Sequence, residues 1–144
     1  MKSFLLFVAL VCALTLSTSL TSSVSNAANA PKRERGVMKF NEPVSLMGVT
    51  LKGEYLFVHD DQAMARGEAC TYVYEGQAAV ANKLVASFHC RPMIRNRVDS
   101  FTVRTVLTPT GYELKEYQFA GSLEAHRVPL NPHEGHVEIT GIGN

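Results

Sequence analysis

Two cysteines, Cys70 and Cys90, with a histidine close to each, are the residues of this chain best suited to chemistry. The stretch from His59 to Arg91 reads HDDQAMARGEACTYVYEGQAAVANKLVASFHCR. Three chemistries fit it. The expected one is a Cys70–Cys90 disulfide, which closes a loop of about 20 residues and would stabilise the fold by about 3 kcal/mol. The alternative is a metal site with His59, Cys70 and Cys90 as ligands and His126 or water as the fourth. Imidazole and thiolate together suit zinc or copper. No C-x2-C or H-x3-H spacing accompanies them, so no standard zinc signature is present. The third is a reactive thiol with histidine as base, for which no helix N-terminus or clear positive cluster beyond Arg66 and Arg91 is in view.

Other groups are weaker. Arg66 and Arg91 are candidates for contact with a ligand or anion. Asp60 and Asp61 read as a solvated turn after His59. His133 and His136 sit with His126 in a proline-containing C-terminal tail, where neutral imidazole binds transition metals weakly. HEGH is one residue short of the zinc-protease motif, and there is no G-x-S-x-G or phosphate loop. No acid–base or nucleophile constellation stands out, so a non-enzymatic domain is expected.

The N-terminus has the layout of an export signal. Lys2 precedes an apolar run of 13 residues, 4–16, too short to span a bilayer. Small residues follow, and Ser25-Asn26-Ala27 fits a cleavage site. The chain is therefore expected to be secreted or periplasmic, with Cys12 lost alongside the leader. Export favours oxidised cysteines. The leader takes one of the 14 Lys and Arg and none of the 13 Asp and Glu, which leaves the mature chain neutral. A neutral chain argues against nucleic acid as partner; an unidentified small molecule or protein remains. No second apolar run is long enough to cross a membrane.

The elements that must position these residues read as strands. Short alternating runs separated by turn signals recur, and no long segment has helical periodicity. The fold expected is all-β, a compact antiparallel sandwich or small barrel of six to eight strands. It comprises a signal peptide over 1–27, a flexible basic leader over 28–36, the β-domain over 37–130 and a polar tail over 131–144. Strands are expected at 37–40, 44–47 and 49–51, with a tight turn at Lys52-Gly53. The next strand, 54–59, is central and places Tyr55, Phe57 and His59 on one face. Short helices are candidates at 60–66 and 76–83.

Two hairpins are proposed. In the C-terminal one, a three-residue loop Pro109-Thr110-Gly111 sets Phe101 opposite Phe119 and Val103 opposite Tyr117. On its other face Arg104 lies opposite Glu116, and Thr102 opposite Gln118. In the cysteine hairpin, symmetry about Val80 sets Cys70 opposite Cys90, Tyr72 opposite Phe88 and Tyr74 opposite Ala86. That register points His89 away from the sulfurs.

Phe40, Pro43, Val44, Gly48, Leu51, Gly53 and Tyr55 form an F-x-x-P-V…G-x-x-L-x-G-x-Y pattern. In this, residues 37–129 resemble small exported β-domain proteins of environmental bacteria, acidobacteria among them. The resemblance implies a secreted β-domain and no particular activity.

Overall fold

The computed structural model describes residues 32–130, so the signal peptide of 1–27 and the tail with His133 and His136 lie outside the described residues. Eight strands form one curled, mixed sheet, a half-barrel: β1 (Arg33–Leu46), β2 (Val49–Asp60), β3 (Thr71–Glu75), β4 (Leu84–Phe88), β5 (Arg91–Ile94), β6 (Thr102–Thr108), β7 (Gly111–Gln118) and β8 (Glu124–Arg127). The order across the sheet is β4-β3-β2-β1-β7-β8-β5, with β6 paired to β7. The all-β expectation holds. The expectation of a wholly antiparallel sheet does not, because β1 and β7 run parallel at Val44–Tyr112 and Ser45–Glu113. No helix among the described residues is long and apolar enough to cross a membrane.

The first hairpin corrects two expectations. Strand begins at Arg33, within the stretch expected to be a flexible leader, and Arg33 to Arg35 pair with Asp60 to Val58. The tight turn is Met47-Gly48, not Lys52-Gly53. Both turn residues take positive φ, 50° and 89°, as a two-residue hairpin turn requires. Gly53 uses its positive φ of 98° inside β2 instead. There Asn41, Glu42 and Pro43 bulge from β1 opposite Lys52 alone. Proline is tolerated at such a bulge because no ladder N–H is needed.

β2 is central, as its two apolar faces suggested: every residue from Tyr55 to His59 is buried. Asp60 then caps a five-residue helix, α1 (Asp61–Ala65), accepting from the Gln62 and Ala63 amides. The second helical candidate reduces to a 3-10 turn at Ala81–Lys83.

The β6–β7 register is the one expected: Thr102–Gln118, Val103–Tyr117 and Arg104–Glu116. The loop differs. Thr108 pairs with Gly111, leaving the two-residue turn Pro109-Thr110, and a bulge between Arg104 and Thr105 restores the register. Inside the curl, Phe101 packs against Phe57 and Phe119, with ring centroids 5.3 and 5.2 Å apart. On the other face Glu116 is 5% exposed. It accepts from Arg95 Nη2 and Arg104 Nη1, both at 2.8 Å. The Arg95 hydrogen bonds, followed by the nearby guanidinium charges, hold its carboxyl below the usual range against the effect of burial.

Two predictions follow from this frame. A Cβ added at Gly36 would fall inside the Phe101 side chain, so Gly36→Val should destabilise by about 1–3 kcal/mol in urea unfolding. A carboxyl with a lowered folded pKa stabilises above its unfolded pKa and loses that contribution as pH falls through the folded value. Glu116→Gln should therefore destabilise at neutral pH, and the gap to the parent chain should close below about pH 4. A gap that stays constant down to pH 2 would refute the assignment.

Candidate metal centre

His59 is the last residue but one of β2 and points into the curl. Its row across the sheet is Glu34 on β1, Thr71 on β3 and Phe88 on β4. A second row comes from the other half of the sheet: Tyr117 on β7, His126 on β8 and Pro92 on β5. The curl brings these rows face to face. The His59 and His126 rings lie 4.1 Å apart, and Thr71 Oγ1 exchanges a hydrogen bond with Tyr117 Oη at 2.5 Å. Tyr117 also stacks on His126, with centroids 5.0 Å apart.

The two cysteines enter this junction from the ends of the β3–β4 hairpin. Its register is one residue off the symmetric expectation: Thr71 pairs with Phe88, Tyr72 with Ser87 and Val73 with Ala86. Val73 joins the core beside Phe57, while Tyr72 and Tyr74 are half-buried. The sulfurs still converge because both lie just outside the paired segment. They are free thiols with Sγ atoms 3.2 Å apart, beyond the roughly 2.05 Å of a disulfide bond. The Cys90 amide donates to Cys70 Sγ at 3.2 Å.

Cys90 also lies 3.4 Å from His126 Nδ1. Donor atoms of His59, Cys90 and His126 all fall within 4.8 Å of one another. Bonds of about 2.3 Å to sulfur and 2.0–2.1 Å to nitrogen place ligands of one tetrahedral ion about 3.3–3.8 Å apart. The set is thus close to the size an ion needs. It differs from the expected His59, Cys70 and Cys90 set: His126 is a principal member, and Cys70 stands beside the trio. His126 is not a tail residue but a fully buried member of β8.

Each histidine turns one nitrogen toward a carboxylate. His59 Nδ1 is 3.4 Å from Asp61 Oδ1, and His126 Nε2 is 4.0 Å from Glu34 Oε2. Neither nitrogen has a hydrogen-bond partner among the described residues. Carboxylates behind metal-binding histidines are a recurrent arrangement that fixes the ring orientation. Burial, helped by the neighbouring His59, pushes His126 down to about 4, so it is a neutral donor at physiological pH. Burial works against the His59 cation, but its hydrogen bond and charge contact with Cys70 leave its pKa raised. Cys70 is held low, first by the hydrogen bond from Cys90, against burial, and then by His59 and the Cys90 amide. Cys90 is correspondingly pushed up.

The remaining candidates lie elsewhere. Arg66 is exposed and forms a two-point pair with Glu68, both contacts at 2.8 Å. Arg91 is exposed on β5 opposite Arg127. His89 is half-buried and outside the trio, in keeping with the alternation argument. Glu34 and Thr71 were not singled out as site residues from sequence, Asp61 was read as part of a solvated turn, and Tyr117 only as the hairpin partner of Val103. The usable signal was the facing of Tyr117 and Phe57 toward one core. No family model, curated protein or solved structure matches this chain.

The Thr71–Tyr117 bond joins the two halves of the site. Tyr117→Phe leaves the buried Thr71 hydroxyl without this partner and should destabilise by about 1–2 kcal/mol, measured by urea unfolding. An unchanged midpoint would show that the bond contributes nothing net.

Proposed function

We propose that the protein is an exported, non-catalytic metal-binding β-domain. It holds one zinc or copper ion with His59, Cys90 and His126. The observation that carries this reading is the convergence of three buried donors, each 8% exposed or less, from β2, the β4–β5 connection and β8. The carboxylates of Asp61 and Glu34 behind the two rings support it: they stand near His59 Nδ1 and His126 Nε2, which leaves His126 Nδ1, beside the Cys90 sulfur, for the ion. Catalytic metal sites keep a coordination position open to substrate. Burial of all three donors argues for holding an ion over reacting it. The Lys2-led apolar run and the small residues before Ala27 support export.

The test is metal analysis of untagged protein kept reduced, followed by titration with zinc and with copper. One equivalent per chain is expected. His126→Ala should lose at least tenfold in affinity. Saturating metal at about 100 times Kd should raise stability by about 2.7 kcal/mol. Less than a tenth of an equivalent in the folded, reduced chain would reject the reading.

A further inference from the structure

Cys90 faces two partners that it cannot serve together. Its sulfur is 3.4 Å from His126 Nδ1, within the metal trio, and 3.2 Å from Cys70 Sγ, outside it. We propose that the site is redox-gated: reduced Cys90 holds the ion with His59 and His126, and a Cys70–Cys90 disulfide releases it. This rests on the metal-binding reading above and names how that site is regulated.

The geometry carries the proposal at three points. The two sulfurs already sit closer than a van der Waals pair, so a bond needs a shift of about 1 Å to reach 2.05 Å. Cys70 and Cys90 flank the two ends of one hairpin, and Thr71 and Phe88 beside them are paired neighbours. The sheet therefore holds them together in either state. The third point is that the two sulfurs are not equivalent. Cys90 is 8% exposed and Cys70 is fully buried, so Cys90 is the one an external oxidant meets first.

The chemistry balances with a small disulfide, such as oxidised glutathione, as oxidant. In the ion-free chain Cys90 passes its proton across the 3.2 Å sulfur contact to Cys70, and the Cys90 thiolate so formed attacks the disulfide. A mixed disulfide forms, and one small thiolate leaves and takes that proton from Cys70. Cys70 thiolate then attacks Cys90 sulfur. The Cys70–Cys90 bond forms, and the second small thiolate departs and takes up a proton from solvent. Two protein thiols are oxidised by two electrons, and one disulfide is reduced to two thiols. Cys90 in a disulfide no longer offers a thiolate, so two imidazoles remain of the trio. The coupling is reciprocal: an ion on Cys90 must slow this oxidation.

The experiment compares two forms of the untagged chain. One is kept in a phosphine reductant. The other is treated with excess oxidised glutathione, then freed of it, with peptide mapping locating the bond between Cys70 and Cys90. Each is titrated with zinc alone. The reduced form should bind one equivalent, and the oxidised form should bind at least tenfold more weakly, with binding restored by reduction. Preloading with zinc should slow disulfide formation at least tenfold. Equal zinc affinity in the two forms, or equal oxidation rates with and without zinc, would overturn the gating and leave the metal-binding reading intact. A folded, reduced chain that takes no zinc would instead reject both.

Discussion

Closure of the curled sheet depends on two rows of side chains meeting across its interior. Glu34, His59, Thr71 and Phe88 cross one half, and Tyr117, His126 and Pro92 cross the other. β1 joins the halves within the sheet, but only two residue pairs link it to β7. That short parallel seam is a weak hinge for so large a curl. The Thr71–Tyr117 bond and the His59–His126 ring contact fix how far it closes. Beside them Phe57, Tyr117 and Phe119, with the partly buried Phe101, provide the apolar bulk, and a fully buried side chain of this kind contributes about 1.5–3 kcal/mol.

A purely structural junction would be expected to be apolar. This one instead buries two imidazoles, two thiols, a phenol and a threonine hydroxyl. The hydroxyls satisfy each other, and the thiols exchange a contact and take the Cys90 amide. The histidines do not close their account, since His59 Nδ1 and His126 Nε2 lack hydrogen bonds among the described residues. An unsatisfied buried polar atom costs about 1–3 kcal/mol. Retaining two of them at the closure point is hard to explain by packing alone, and an ion on the opposite ring nitrogens would strengthen these two as N–H donors toward the Asp61 and Glu34 carboxylates.

Legibility in the sequence followed the strength of alternation. The β6–β7 register was readable because both faces constrain it: aromatics pair on one, and Arg104 meets Glu116 on the other. The cysteine hairpin slipped by one because Val85, Ala86, Ser87 and Phe88 are all buried, so no polar face pins the register. Its eight-residue connection adds no constraint of the kind a two-residue turn supplies. His126 was visible as a candidate but was grouped with a tail, since β8 is four residues long and prolines follow it. Gly36 gave no local sign of strand, because its role depends on Phe101, far along the chain. Long-range facing of this kind is what a single sequence conceals.

β7 shows how sharply the two faces differ. Glu116 and Tyr117 are adjacent, so strand alternation sends them to opposite sides. Glu116 enters a network that completes itself. Arg95 and Arg104 hold its carboxylate, Arg104 reaches Gln118 Oε1, and Gln118 Nε2 donates to the Asn96 and Ser122 carbonyls. Tyr117 enters a cluster that does not. Both faces carry buried polar groups, so burial alone does not mark a site. The discriminating property is completeness: one network has used its donors and acceptors on itself, and the other still has donors converging on a common point. That asymmetry across a single strand is why the proposed ion belongs on the inner face of the half-barrel and not on the outer one.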